Sequence, residues 1–220
     1  MISPQEVEDR LKNRRLIFLK NSGIPPLFFK VFAEYGDATL ERYKAVISLH
    51  AVEYLKSFID DYKIGVDAGS FTEENFARHE KLGVYIFGKS GAGKTVLAAW
   101  ILYQYIQEYS ATYGPAYFFN VPELLDNLRP GSDSDKSDLI TKAKESPLVV
   151  LDDLGVEVLS PWVFERLYNL INHRYSHLLP FIITSNLPLK DLTTRLSEKD
   201  EVGASRLLMR ITQSSIPWPL

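Results

Sequence analysis

Four short apolar segments recur through the second part of the chain, and each ends in glycine or polar residues. They lie at 84–87, 116–121, 148–151 and 181–184, and stretches with the periodicity of a helix separate them. Segments of this length are typical of strands that are buried on both faces. Short strands that alternate with helices predict an α/β fold with a central parallel sheet flanked by helices.

The first 80 residues follow a different pattern. Residues 5–20 carry an imperfect helical stripe of apolar positions among many charges, which predicts a short N-terminal helical arm. Gly23, Pro25 and Pro26 then end the pattern, because proline excludes helix from the residues before it. Apolar positions at 40–59 return with helical spacing and predict a helix that packs on the core. We therefore expect an arm (1–22), a linker with a packing helix (23–82) and a core (83–220).

Composition narrows the classes of function. The chain has 220 residues, of which 45% are hydrophobic, and a net charge of −3, so no basic field covers the molecule and any nucleic-acid contact must be local. The absence of cysteine excludes disulfides, thiolate zinc sites and cysteine nucleophiles. No apolar run approaches the ~18 residues of a membrane span. We expect a soluble cytoplasmic protein with no membrane partner.

A glycine-rich loop carries the clearest chemistry. Residues 88–95 (GKSGAGKT) match G-x-x-x-x-G-K-[ST], directly after the first strand and before a helical run at 96–107. Such a loop turns its N–H groups and a helix N-terminus towards phosphate oxygens. Lys94 supplies a charge for the β- and γ-phosphates, and Thr95 a hydroxyl for Mg²⁺. The predicted nucleotide-binding residues are Gly88, Lys89, Ser90, Gly91, Ala92, Gly93, Lys94, Thr95 and Val96.

Two carboxylates end the third apolar segment. Asp152 and Asp153 follow 148–151, where charged side chains at the edge of a core require a reason. We interpret Asp152 as a ligand of the Mg²⁺ shell and Asp153 as the group that polarises the attacking water. Glu157 is a second candidate for the base, and a surface carboxylate is the alternative for that residue.

Several stretches together resemble a known family. Residues 22–26 (SGIPP), 151–157 (LDDLGVE), 160–175 and 182–192 (IITSNLPLKDL) resemble DnaC/DnaI-type helicase loaders, in the IstB-like branch of the AAA+ ATPases. The resemblance implies a P-loop NTPase of the AAA+ (ASCE) class in which Asn186 orients the lytic water. Residues 203–207 resemble the segment whose arginine reaches a nucleotide in a neighbouring subunit. That role falls to Arg206, with Arg210 as the substitute one turn later.

The function that this resemblance implies is a slow ATPase that acts as a replicative helicase loader, encoded by a bacterium or a phage. Its ligands would be ATP or ADP with Mg²⁺. Its partners would be single-stranded DNA, a replicative helicase and further copies of itself, with the ATP sites between subunits. No arginine follows Arg210, so a second sensor arginine and a full lid domain are not evident. The alternatives are an IstB-like transposition helper and a nucleotide-gated interaction module with little hydrolysis.

Overall fold

Five parallel strands form one sheet. The computed structural model describes residues 3–35, 81–129, 136–155, 160–198 and 200–220, so the predicted helix at 40–59 and Glu157 lie outside the described residues. The order across the sheet is β2-β3-β4-β1-β5. The strands are β1 (Gly83–Phe87), β2 (Tyr117–Asn120), β3 (Val149–Asp152), β4 (Phe181–Ser185) and β5 (Ser215–Pro219). The prediction of a central parallel sheet is confirmed.

Helices connect the strands, and local sequence fixes several of their starts. Asn120, Ser160 and Asp200 each accept a hydrogen bond from a backbone N–H three residues later, which is the usual N-cap. Among the described residues, no helix has the length and apolar character needed to cross a bilayer. The helices are α1 (Pro4–Lys20), α2 (Pro26–Tyr35), α3 (Lys94–Glu108), α4 (Ser110–Tyr113), α5 (Val121–Leu128), α6 (Lys136–Glu145), α7 (Pro161–Ser176), α8 (Leu189–Ser197) and α9 (Glu201–Ser214).

The core consists of two apolar layers, one on each face of the sheet. On one face Trp100 of α3 packs with Phe32 of α2 and with the β1 residues Val84 and Ile86. On the other face the buried side chains come from α5 to α9, and Tyr85 of β1 joins them. Alternate residues of β1 thus point to opposite layers, as the period of a strand requires. Burial on both faces makes the central strands a rigid base for the loops that follow them.

The turn after α1 lies against the edge of the sheet. The Phe118 N–H in β2 donates a hydrogen bond to the Ser22 carbonyl at 2.6 Å, and Ser22 and Ile24 are buried. Gly23 has a φ of +79°, and a Cβ at this position would come too close to the Phe118 carbonyl oxygen. This turn therefore requires glycine for both its conformation and its close contact with β2.

The fifth strand was not predicted. β5 contains Pro217 and Pro219, and proline is excluded from central strands because it lacks the N–H that a ladder needs. In this fold β5 lies at the edge and pairs with β1 alone, in parallel register. The Leu220 N–H extends the pairing by donating to the Phe87 carbonyl at 2.8 Å. An edge position explains why a strand forms here although the sequence pattern argues against one.

A buried arginine joins α6 to the loop before β4. Arg174 of α7 has no solvent exposure, and its guanidinium donates to four backbone carbonyls. These belong to Ala143, Lys144, Ser146 and Pro180. Because the last carbonyls of a helix have no partner within it, Arg174 satisfies the end of α6 and fixes the start of β3 beside β4.

Candidate functional site

The candidate site is a cleft at the carboxyl ends of β1, β3 and β4. It has a volume of about 430 Å³. In parallel α/β sheets this edge is where ligands bind, because the loops that leave neighbouring strands converge there. The glycine-rich loop follows β1, Asp153 follows β3 and Asn186 follows β4, while Asp152 at the end of β3 is buried beside the cleft. The lining residues are Ser90, Gly91, Gly93, Lys94, Thr95, Val96, Asp153 and Asn186.

Two glycines give the loop its shape. Gly91 and Gly93 have φ values of +81° and +91°, a region that costs residues with a side chain about 1–2 kcal/mol. Gly93 also forms the N-cap of α3 and offers no side chain to cap it. The first N–H groups of α3 therefore keep their capacity to bind an anion. The loop combines these donors with the positive end of the helix dipole.

Gly88 is required because of a close contact and not because of its backbone conformation. Its φ is not positive, but a Cβ there would collide with the carbonyl oxygen of Leu220 beside β5. Its N–H donates to the Ser185 carbonyl at 3.3 Å, which fastens the start of the loop to β4. Gly88, Lys89 and Ala92 form the base of the loop rather than the lining of the cleft.

The ammonium of Lys94 is held inside the loop. Its Nζ donates to the Gly88 and Lys89 carbonyls at 3.0 and 2.9 Å, and the residue is 5% exposed. Burial lowers the pKa of Lys94, while the charges of Asp153 and Asp152 act in the opposite direction. The lysine is thus a cation within reach of whatever the loop binds.

Asp152 is a buried carboxylate surrounded by hydroxyl groups. It is 3% exposed and accepts a 2.5 Å hydrogen bond from the Thr184 hydroxyl. Burial raises the pKa of Asp152 to about 6, the Asp153 charge adds to this, and hydrogen bonds from Thr184 and Thr95 with the charge of Lys94 oppose it. Carboxylate and hydroxyl oxygens are the ligands that Mg²⁺ prefers, and a bound cation would offset the cost of a buried charge. Asp152 and Thr95 therefore fit a Mg²⁺ site.

Asp153 has a strained backbone. Its φ is +63°, in the left-handed region that few residues other than glycine adopt. Its N–H donates to the Thr184 hydroxyl at 3.0 Å, and its half-buried side chain lines the cleft with Lys94 and the exposed Asn186. Strain of this kind persists where the surroundings enforce it, commonly at functional sites.

Thr184 was not among the predicted site residues. The residue is fully buried and contacts both aspartates, through Oδ1 of Asp152 and the N–H of Asp153. Its position beside Asp152 follows from the pairing of β3 with β4, in which Leu151 lies opposite Ile183. The only local signal was a polar residue at the end of an apolar strand. The strand order had to be known before its partner could be named.

The two candidate arginines differ in their surroundings. Neither lines the cleft of its own chain. Arg206 is exposed on α9, beside a separate cavity of about 210 Å³ between α7 and α9. Arg210 lies with its guanidinium 4.9 Å from the centre of the Tyr175 ring and donates to Gln213 at 3.0 Å. Contacts within the chain therefore hold Arg210, whereas the side chain of Arg206 extends to the surface.

Known proteins resemble this chain in sequence. A model of the IstB-like ATP-binding protein family matches residues 41–216, most of the chain. The replicative helicase loader DnaI of Bacillus subtilis (strain 168) is 33% identical over 144 residues. That match covers 61% of this chain and 44% of DnaI, so the chain spans less than half the length of this relative.

Solved structures of two helicase-loader proteins have the same fold. A crystal structure of DnaI matches with a TM-score of 0.56 and 28% identity, over 66% of this chain and 79% of that one. The crystal structure of the DnaC helicase loader matches with a TM-score of 0.54 and 27% identity, over 81% and 98% respectively. These are AAA+ P-loop proteins. The chain belongs to the family of IstB-like ATP-binding proteins, has the AAA+ P-loop fold and is similar to helicase loaders of the DnaC/DnaI type.

Proposed function

We propose that the protein hydrolyses ATP to ADP and phosphate and acts as a replicative helicase loader. One observation supports the enzymatic part above all others. A single cleft is lined by the glycine-rich loop and by Lys94, Thr95, Asp153 and Asn186, and Asp152 is buried in contact with Thr95. These are the groups that phosphoryl transfer requires, since its catalysis is mainly positioning and electrostatic stabilisation.

Binding of the triphosphate would use the loop and Lys94. The Lys94 Nζ now donates to two loop carbonyls, and a small rotation of its side chain exchanges these acceptors for phosphate oxygens. A phosphate oxygen is charged, so the hydrogen bond gained is stronger than the one lost. Desolvation of Lys94, which lowers its pKa, also increases the strength of this electrostatic contact.

Thr95 and Asp152 would hold Mg²⁺, which neutralises the charge that develops on the phosphate oxygens. The carboxylate of Asp153 lines the cleft and would accept a proton from a water, and the amide of Asn186 would orient that water. The Asp153 side chain is one methylene shorter than a glutamate at this position would be, so it reaches less far towards the water. We therefore expect slow turnover by isolated copies.

Completion of the site would come from a second copy. Arg206 lies on the surface and away from the cleft of its own chain, which suits a residue that acts on the nucleotide of a neighbour. Arginine presents a fork of donors that matches a phosphate group. The engagement of Arg210 with Tyr175 favours Arg206 for this role. The protein would then be a homo-oligomer with its ATP sites between subunits.

The helicase partner is inferred from similarity. The DnaI relative is a replicative helicase loader, and the DnaC neighbour is a helicase loader. Single-stranded DNA is proposed as a further ligand because the sequence resemblance to DnaC/DnaI-type loaders implies it. Lys142 and Lys144 of α6 are candidates for contacts with the phosphate backbone of the DNA, although Lys142 already forms an ion pair with Asp138.

Two variants test the enzymatic proposal directly. Lys94→Ala should abolish binding of ATP in isothermal titration calorimetry, because it removes the cation at the phosphates. Arg206→Ala should leave binding within threefold of the parent and lower turnover by about 10³-fold. Lys190→Ala, on the exposed face of α8, serves as the control and should change neither. Parental turnover in Arg206→Ala would refute the role of this arginine, and a parent that binds no adenine nucleotide would refute the function.

A transposition helper remains the second candidate, because the family model that matches is the IstB-like one. The two candidates share the same site and differ in partner. Affinity purification of the protein with ATP and single-stranded DNA should recover a replicative helicase. Recovery of a transposase instead would refute the loader proposal and leave the ATPase proposal intact.

A further inference from the structure

We propose that Thr184 and Ser185, the last two residues of β4, are positioning residues that hold the turn at 152–154 in the conformation the reaction needs. We call residues 152–154 the acid turn. The inference rests on the proposed ATPase function and adds to it the device that orients both carboxylates. Both side chains are fully buried, and neither lines the cleft.

Thr184 attaches to every residue of the acid turn. Its hydroxyl donates to Asp152 Oδ1 at 2.5 Å and accepts the Asp153 N–H at 3.0 Å, while its carbonyl accepts the Leu154 N–H at 2.9 Å. A hydroxyl has one proton, so donation to Asp152 leaves its lone pairs for Asp153. The direction of both hydrogen bonds is therefore fixed. One side chain therefore contacts both the Asp152 carboxylate and the Asp153 backbone.

The conformation of Asp153 explains why such a device is needed. A φ of +63° costs a residue with a Cβ about 1 kcal/mol and is kept only by surrounding contacts. The hydrogen bond from the Asp153 N–H to Thr184 is one of these contacts. Without it, the backbone is expected to relax and move the Asp153 side chain away from the cleft.

Ser185 connects the acid turn to the other two loops of the site. Its hydroxyl donates to the Leu154 carbonyl at 2.7 Å and accepts the Leu187 N–H at 3.2 Å. Its carbonyl accepts a hydrogen bond from the N–H of Gly88, at the start of the glycine-rich loop (88–95), which we call the phosphate loop. The segment that carries Asn186 is thus bonded through Ser185 to the acid turn and to the phosphate loop. A displacement of Asn186 by a ligand would be transmitted to Asp153.

Thr184→Val is the central test, because valine keeps the volume and loses the hydroxyl. The measurement is the affinity for fluorescent ADP with and without Mg²⁺, followed by the kcat for ATP. Affinity without Mg²⁺ should stay within threefold of the parent. The strengthening by Mg²⁺ and the kcat should each fall by about tenfold or more, as expected for a lost hydrogen bond to a charged group. Ser185→Ala should also lower the kcat, and it should leave the affinity for ADP without Mg²⁺ unchanged.

Matched variants separate positioning from general damage. Thr184→Ser keeps the hydroxyl and should restore both quantities to within threefold of the parent. Thr194→Val makes the same exchange on the exposed face of α8 and should have no effect. If Thr184→Val does not fold, Thr184→Cys replaces it, because a thiol is a weak donor and should give a Mg²⁺ dependence and a kcat below those of Thr184→Ser.

Two outcomes would overturn the proposal: parental Mg²⁺ dependence and kcat in Thr184→Val or Thr184→Cys, or a Thr184→Ser protein as defective as Thr184→Val. If Mg²⁺ strengthens ADP binding by the parent protein but the parent does not hydrolyse ATP, the ATPase function is contradicted. The Mg²⁺ dependence of the variants would still decide the positioning role. The two failures are therefore distinguishable.

Discussion

A carboxylate that is 3% exposed at the end of a strand is costly unless something charged or polar compensates it. Asp152 receives hydroxyl hydrogen bonds from Thr184 and Thr95 and lies near the Lys94 charge, yet its pKa stays at about 6 because burial dominates. Burial therefore still disfavours the charged form of Asp152. We expect a cation that binds at Asp152 to offset this effect.

The first prediction concerns pH. The folded protein binds the Asp152 proton more tightly than the unfolded chain, so stability from this group rises as pH falls from about 6 towards 4. The gain is at most about 3 kcal/mol, from two pKa units. At the proposed site Mg²⁺ would have to displace the same proton, so Mg²⁺-dependent nucleotide affinity should fall over the same range. Chemical denaturation and titration of ADP at each pH measure the two effects.

Asp152→Asn is the control for both effects. It cannot titrate, so the difference in unfolding free energy between parent and variant should change with pH between 4 and 7. A difference that stays constant over this range would show that the pKa of Asp152 lies near its ordinary value.

The second prediction concerns Asp153. Asparagine tolerates the left-handed backbone and removes the charge, so Asp153→Asn should keep the fold and ATP binding within threefold while turnover falls at least about 100-fold. Asp153→Ala should lose turnover equally and also destabilise the protein by about 1 kcal/mol. Thermal unfolding and steady-state phosphate release distinguish the pair. Turnover retained in Asp153→Asn would assign the base to another residue.

At this scale the sequence revealed the residues of the loop but not their partners. The motif at 88–95 and the position of Asp152 and Asp153 after a strand are local patterns, and local patterns are visible in one sequence. Thr184 has its role only because β4 lies beside β3, a pairing between residues about thirty positions apart. Gly88 is similar, since the contact that requires glycine comes from Leu220.

Among the elements, strands with continuous apolar runs were predictable and the edge strand was not. β1, β2, β3 and β4 occur within one or two residues of the segments that predict them. β5 combines two prolines with only Ile216 and Trp218 as large apolar residues, so its tertiary position decides its conformation. Helix α1 starts at Pro4, because Ser3 and Glu6 form a capping box.

The third prediction uses two glycines with the same backbone. Gly23 and Gly91 have φ values of +79° and +81°, but a Cβ at Gly23 would meet the Phe118 carbonyl, whereas none of the described atoms lies within 4 Å of one at Gly91. Gly91→Ala should therefore cost only the strain of about 1 kcal/mol, and Gly23→Ala about 2 kcal/mol or more. Urea denaturation of both variants measures the difference. Equal losses would mean that the turn at 21–24 does not pack on β2.

At the level of the whole molecule, the proposed trans site predicts complementation. Lys94→Ala is expected not to bind ATP but still carries Arg206, whereas Arg206→Ala is expected to bind ATP and lacks the arginine. A mixture of the two inactive variants should recover up to about a quarter of the parental turnover, since only mixed contacts of one orientation are complete. Phosphate release at increasing total concentration measures the recovery. A mixture as inactive as its components would place Arg206 outside the neighbour's site.

The helix that carries Arg206 leads into the sheet without a connecting loop. α9 ends at Ser214, β5 begins at Ser215, and β5 pairs along its length with β1, the strand that delivers the phosphate loop. No loop separates α9, whose surface would contact another subunit, from β5, which pairs with β1. A neighbouring subunit that displaces α9 would therefore also displace β5 and, through β1, the start of the loop at Gly88. Contact between subunits and nucleotide occupancy would then each change the energy of the other.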